Sequence, residues 1–123
     1  MLLEEFEDAA AVIEPTEKPV HDKGEVCETI ILSFNGEILK RLIASEEVYP
    51  GGYLKSINGH HPWYIYGQGP SKLAVMLAPI GAPMIVGQLE ELEARGFTNF
   101  IILGSCGVLD RSIEADKIIL PAA

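Results

Sequence analysis

The sequence predicts an α/β fold built around a central, largely covered sheet, and three observations carry that prediction. Apolar runs of strand length stand at Cys27-Glu28-Thr29-Ile30-Ile31-Leu32-Ser33-Phe34, Leu73-Ala74-Val75-Met76-Leu77-Ala78 and Phe100-Ile101-Ile102-Leu103. They are bounded by turn residues and too continuous for a sheet wet on one face. An amphipathic helical segment separates the second run from the third, and a hairpin signal lies between the first and the second. Strands alternating with helices in one chain point to layers packed on a shared sheet.

The first run, β-rich from residue 27 to 34, reads as a buried strand. Asn35-Gly36 follows, then Glu37-Ile38-Leu39-Lys40-Arg41-Leu42-Ile43-Ala44. There Ile38, Leu39, Leu42 and Ile43 share one helical face, with Lys40 and Arg41 opposite. Pro50-Gly51-Gly52 reads as a break. Short strands are expected over 53–57 and 63–66, around the hairpin turn signal Asn58-Gly59. Gly67-Gln68-Gly69-Pro70 is a second break. Pro83 suits a first helical turn, where its missing N–H costs nothing. From there Ile85, Val86, Leu89 and Leu92 separate from Glu90, Glu91 and Glu93. Arg95 suits the helix dipole and Gly96 a left-handed cap. Lys117-Ile118-Ile119-Leu120 is expected as a last strand. Runs 73–78, 100–103 and 117–120 are expected to be neighbours in one mixed or parallel sheet, with the helix from Pro83 packed on a face.

The 123 residues carry 9 Lys+Arg against 18 Asp+Glu, a net charge of −9, and are 48% apolar. A chain of that size buries roughly two-thirds of its unfolded surface, so one domain with a real core is expected and wholesale disorder is excluded. An acidic balance disfavours non-specific binding to nucleic acid or an anionic membrane. The charge is concentrated in front: residues 1–50 sum to −8 and residues 51–123 to −1. Residues 1–26 are accordingly expected as an acidic arm, and residues 27–123 as the α/β domain. Cys27 and Cys106 lie far apart and form no CxxC, so reduced thiols are expected. The acidic N-terminus is unlike a signal peptide, and the apolar stretch 73–86 is interrupted and too short for a bilayer. A cytoplasmic protein is the expectation.

Few residues look equipped for chemistry. Gly104-Ser105-Cys106-Gly107 follows a buried strand, where ligands of open α/β sheets usually lie. Its glycines let backbone approach a ligand, and Ser105 offers a hydroxyl; a plain tight turn is the competing reading. Pro79-Ile80-Gly81-Ala82-Pro83 is neither GxGxxG nor a P-loop, and close packing of helix on sheet is favoured over anion binding there. His60 and His61 are adjacent and cannot both face one site on a strand, so a solvated turn is favoured over a metal site. Glu90, Glu91 and Glu93 read as a solvated helix face. Cys106 reads as a packing or ligand-facing residue, because no His has the spacing of an activating partner.

From residue 73 onward the chain resembles the nucleoside phosphorylase family, the branch holding uridine phosphorylase, hexameric purine nucleoside phosphorylases and methylthioadenosine nucleosidases. The residues that carry the resemblance are Ala78-Pro79-Ile80-Gly81-Ala82-Pro83, the helix with Leu89-Glu90-Glu91-Leu92, the turn at Gly96, and Phe100 to Leu109 through Gly104-Ser105-Cys106-Gly107. Asp116-Lys117-Ile118-Ile119-Leu120-Pro121 resembles the family's following strand. The match covers about the last 50 residues well, and the front only in outline.

The resemblance implies a phosphorylase/hydrolase-like central mixed sheet in a three-layer αβα arrangement, with a site at the strand ends. It implies cleavage of a purine or pyrimidine nucleoside by phosphate or water, a pentosyl transfer through an oxocarbenium-like transition state. Phosphate is then a co-substrate, no metal or organic cofactor is needed, and a homo-oligomer is expected. By the same resemblance Ser105 contacts phosphate or ribose, Cys106 and Gly107 line the base and sugar pocket with Gly104 beside them, and Ile80 lies near the sugar. Three departures accompany it. Ile102 stands where many phosphorylases place an Arg, and residues 1–50 hold no Gly-Asp-Pro-x-Arg loop. Family members are also about twice as long, with their ribose clamp and base-protonating acid in a second half, so the chain looks like an N-terminal half. Its catalytic residues are unassigned for that reason. A non-catalytic binding or interface module and a water-using nucleosidase are the alternatives.

Overall fold

The computed structural model describes residues 24–114 and 116–120. It is a mixed α/β fold with a five-stranded sheet and two helices. In chain order these are β1 (Thr29–Ser33), α1 (Gly36–Ala44), β2 (Val48–Ser56), β3 (Gly59–Tyr66), β4 (Leu73–Leu77), α2 (Ala82–Arg95) and β5 (Asn99–Leu103). A 3-10 turn, Gly69–Ser71, links β3 to β4.

The spatial order is β2-β3-β4-β1-β5. β1 lies parallel to β4, with Ile30 opposite Ala74, and parallel to β5, with Ile30 opposite Phe100. β3 runs antiparallel to both β2 and β4. Runs 73–78 and 100–103 therefore share a sheet but are not neighbours, because the first strand of the chain is inserted between them. Residues 117–120 are not a strand: they pair with nothing in the sheet, and Ile118 and Leu120 are largely exposed. Apolar character marks a segment able to pair but does not supply a partner.

Pro50-Gly51-Gly52, expected as a break, lies inside β2, where the register shifts between Pro50 and Gly52. Such a bulge tolerates both the proline and the glycines. The hairpin turn falls on Ile57-Asn58, with Ser56 opposite Gly59. Gly59 takes the positive φ of 115°.

The helices end as their sequences direct. Asn35 caps α1, its Oδ1 accepting from the Glu37 N–H at 3.0 Å. α2 carries Pro83 in its first turn and closes on Gly96 at φ 113°, whose N–H donates to the Glu93 carbonyl.

The main core joins Ile30 and Leu32 of β1, Leu54, Trp63, Ile65, Ala74 and Met76 from the next three strands, and Leu92 and Phe97. Ile85 and Leu89 of α2 pack against it. Leu39 of α1 and Val75 of β4 are buried apart from that cluster. Trp63 and Phe97 meet edge to face at 5.6 Å between ring centroids.

Of the arm expected over 1–26, residues 1–23 lie outside the described residues. Gly24–Val26 join the fold: the Glu25 carbonyl accepts from Trp63 Nε1 at 2.8 Å, and the Glu25 N–H donates to the Gly51 carbonyl at 2.7 Å. The Glu25 carboxylate pairs with Lys72 and accepts from the Tyr49 hydroxyl. No helix among the described residues is long and apolar enough to cross a membrane.

Candidate functional site at the strand ends

Two adjacent parallel strands end side by side and open a cavity of about 410 Å³ between their exits. β1 contributes Ser33, its exit contributes Phe34 and Asn35, and the first turn of α1 contributes Gly36, Glu37 and Ile38. β5 contributes Leu103, and its exit contributes Gly104 and Ser105. Parallel strands deliver their carboxyl ends to one edge, which is why the two exits meet there.

Local hydrogen bonds hold the β1 side. Ser33 is buried, its Oγ accepts from the Asn35 N–H at 3.1 Å, and its carbonyl accepts from the Ala78 N–H at 2.9 Å. The Phe34 N–H donates to the Leu103 carbonyl at 3.0 Å and ties the two exits together. A Cβ added at Gly104 would stand 3.2 Å from the Phe34 ring, so the glycine keeps the β5 exit close to β1. The N-terminus of α1 faces this region with the partial positive charge of a helix start.

Of the five residues singled out in the sequence, the fold brings Gly104 and Ser105 into this cavity. Cys106, Gly107 and Ile80 do not line it; Cys106 and Gly107 are exposed, and Ile80 is 91% exposed on the loop after β4. The residues that sequence reasoning missed are Ser33, Asn35 and Gly36. The signal for them was a Ser-Phe-Asn-Gly junction between a buried strand and a capped helix, a second strand exit of the same kind as 104–107.

Among the described residues lining the cavity, Glu37 is the only charged one, and it pairs with Lys40 at 2.7 Å. Farther along the loop the Asp110 carboxyl is held below its ordinary range by the Ser112 N–H, which donates to it at 2.8 Å. Both cysteines are free thiols. Burial pushes the Cys27 thiol up, away from the thiolate a nucleophile needs. Among the described residues no group of three or more His, Cys, Asp or Glu is placed to hold a metal ion. His60 stacks on Tyr53 at 4.2 Å, while His61 Nε2 lies 2.8 Å from Ser56 Oγ.

Neither a protein-family model, nor a curated protein, nor a solved structure matches the chain.

Proposed function

We propose that the chain is the N-terminal half of a nucleoside phosphorylase-like three-layer domain, and that the cavity at the ends of β1 and β5 receives the ribose and phosphate of a nucleoside being cleaved. The observation that carries this reading is the meeting of Gly104-Ser105 with Ser33 to Gly36 across two parallel strand exits. The layering is supported by the two burial groups: α2 covers the cluster holding Ala74 and Met76, while Val75 points to the opposite face of β4.

In the reaction a phosphate oxygen bonds to the anomeric carbon as the bond to the base nitrogen breaks. The base leaves with that electron pair and takes up a proton. Ser105 would donate its hydroxyl to a phosphate or ribose oxygen, and the α1 N-terminus would add its dipole. Phosphate is the co-substrate, and the chemistry calls for no metal or organic cofactor.

A second reading, hydrolysis by water, is favoured by the lining itself. Glu37 is its only charged member among the described residues, and Ile102 stands where many phosphorylases carry an Arg. An anion gains little beside a carboxylate, whereas water needs no cationic seat.

Titration calorimetry with inosine and uridine, with phosphate and without, tests the proposal. Nucleoside binding that weakens at least tenfold in Ser105→Ala supports it. Tighter binding with phosphate favours phosphorolysis, and indifference to phosphate favours water. Absence of nucleoside binding at millimolar concentration overturns it.

A further inference from the structure

A second cleft, sharing no residue with the strand-end cavity, lies between the β2–β3 hairpin and the first turns of α2. It encloses about 230 Å³. At roughly 30 Å³ per water this is the space of seven or eight waters, room for a short acyl chain. Leu54, Pro79 and Met84 supply apolar walls, and Ser56 and His61 stand on the hairpin side.

Strand alternation aims both polar side chains at this cleft. Leu54 is buried in the core and so faces α2. Ser56, two residues on, points to the same face, and His61 shares it because it pairs directly with Leu54. His60 therefore points to the opposite face, where it stacks on Tyr53. Ser56 and His61 are each half-buried, with Ser56 Oγ 2.8 Å from His61 Nε2. Oγ also accepts from the Asn58 N–H at 3.1 Å, which leaves the hydroxyl proton to point at Nε2 in the tautomer protonated at Nδ1.

A hydroxyl within hydrogen-bond reach of an imidazole, both lining one cleft, is the arrangement of a nucleophile and its general base. The opposite wall suits the charge that such a reaction develops. α2 begins without a side-chain cap, and Pro83 and Met84 of its first turn line the cleft. The partial positive charge of that helix start favours an anion forming on a carbonyl oxygen between the two walls.

We propose that Ser56 and His61 form a catalytic dyad that hydrolyses esters of short apolar acids, the acyl chain lying against Leu54 and Met84. Oγ bonds to the ester carbonyl carbon as its proton passes to Nε2, and the carbonyl electron pair moves onto oxygen. That pair returns as the alcohol leaves with the proton from Nε2. Water then adds to the acyl-serine by the same route, its proton going to Nε2 and on to the departing Oγ, so the acid is released and Ser56 is restored. The site is independent of the nucleoside reading, since none of its residues serves the strand-end cavity.

p-Nitrophenyl butyrate is the probe substrate and phenylmethanesulfonyl fluoride the covalent probe, whose fluoride Oγ displaces. The 123-residue chain should release p-nitrophenolate faster than buffer does, and peptide mass mapping should find the sulfonyl group on Ser56. Ser56→Ala should return the rate to that of buffer and remove the modification. His61→Gln keeps a hydrogen-bonding group but no base, and should lower both rates about a hundredfold, within the usual range for general-base catalysis. His60→Gln, the same exchange on the other face, should leave both unchanged. The proposal is overturned by a rate no faster than buffer, by a sulfonyl group placed elsewhere in the unsubstituted chain, or by undiminished rates in folded Ser56→Ala or folded His61→Gln. Mapping on the unsubstituted chain decides the matter even where a variant fails to fold.

Discussion

The indole of Trp63 lies against Gly51 and Gly52, and a Cβ built on Gly51 would stand 2.5 Å from its Nε1. One built on Gly52 would run into Cζ2 of the same ring. The two glycines thus serve the tryptophan they face more than the turn their sequence suggests. Gly52→Ala should cost about 1–3 kcal/mol, the usual range for overpacking a filled core. Gly87→Ala is the control, since nothing lies within 4 Å of its would-be Cβ, and alanine in a helix interior is favoured by ~0.5–1 kcal/mol. Urea titration of both variants, read by emission of the single tryptophan, should show opposite displacements of the midpoint.

The Glu25–Lys72 pair belongs to the same scale. The Lys72 ammonium holds the Glu25 carboxyl below its ordinary 4.5, and Glu25 holds the ammonium above its ordinary 10.5. A depressed carboxyl stabilises the fold above its unfolded pKa and loses that contribution as pH falls through the folded value. A raised ammonium stabilises below its unfolded pKa and loses it as pH rises through the folded value. The pair should therefore contribute across the neutral range and fade below the ordinary carboxylate range and above the ordinary lysine range. Lys72→Met should flatten the acid limb of a melting-temperature profile. An unchanged limb would show that the pair adds nothing to stability.

At the level of elements, α2 was the most legible part of the chain. Ile85, Leu89 and Leu92 of its expected apolar stripe meet the core, and its early proline and closing glycine stand within a residue of their expected places, whereas Val86, expected on the same stripe, is 52% exposed. Gly96 at φ 113° is the position where that legibility has a measurable consequence. Gly96→Ala should lower stability by about 1 kcal/mol or more, since a Cβ is strained at positive φ even though it would meet only Val26 Cγ1 at an ordinary 3.7 Å. Thermal melts with Gly87→Ala alongside separate this backbone effect from helix propensity. The strands were legible as buried apolar runs and much less so as partners. Nothing in Ile30-Ile31-Leu32 says that it lies between β4 and β5, because pairing order is decided by how five strands and the helix α2 share one core. Residues 117–120 carry the same apolar signal as β5, yet the sheet does not include them. Gly104 and Ser105 could be found from their place after a strand. Ser33 and Asn35 could not be joined to them without knowing that β1 and β5 are neighbours.

For the whole molecule, the open flank of β5 is the governing feature. Ile101, Ile102 and Leu103 are each close to half exposed on an edge strand, a state that invites association. Light scattering at micromolar concentration should give a mass above the 13.4 kDa of one chain, and a clean monomer would count against the expected homo-oligomer. Activity also belongs to this scale. Removing a single electrostatic stabiliser of a transition state costs about 3–4 kcal/mol, and groups acting as a unit fail together. The strand-end cavity has no cation among its described lining residues. The 123-residue chain alone should release no measurable base from uridine, inosine or methylthioadenosine, with or without phosphate. Robust release abolished by Ser105→Ala would place the catalytic groups within these residues.

The position of β1 also bears on how the chain reaches its fold. The hairpin of β2 and β3 is local, and β4 can add to it soon after the short turn at Gly69–Ser71. β1 comes first in sequence, yet its partners lie far downstream, at Ala74 and at Phe100. Closing such loops costs entropy before any contact rewards it, so pairings of this kind form late. During synthesis Ile30 and Leu32 emerge early and must wait, with one flank of β1 unfilled until Leu103 has left the ribosome. Refolding should accordingly begin at the hairpin and finish at the β1–β5 seam, and the cavity between those two strands should be the last part of the molecule to exist.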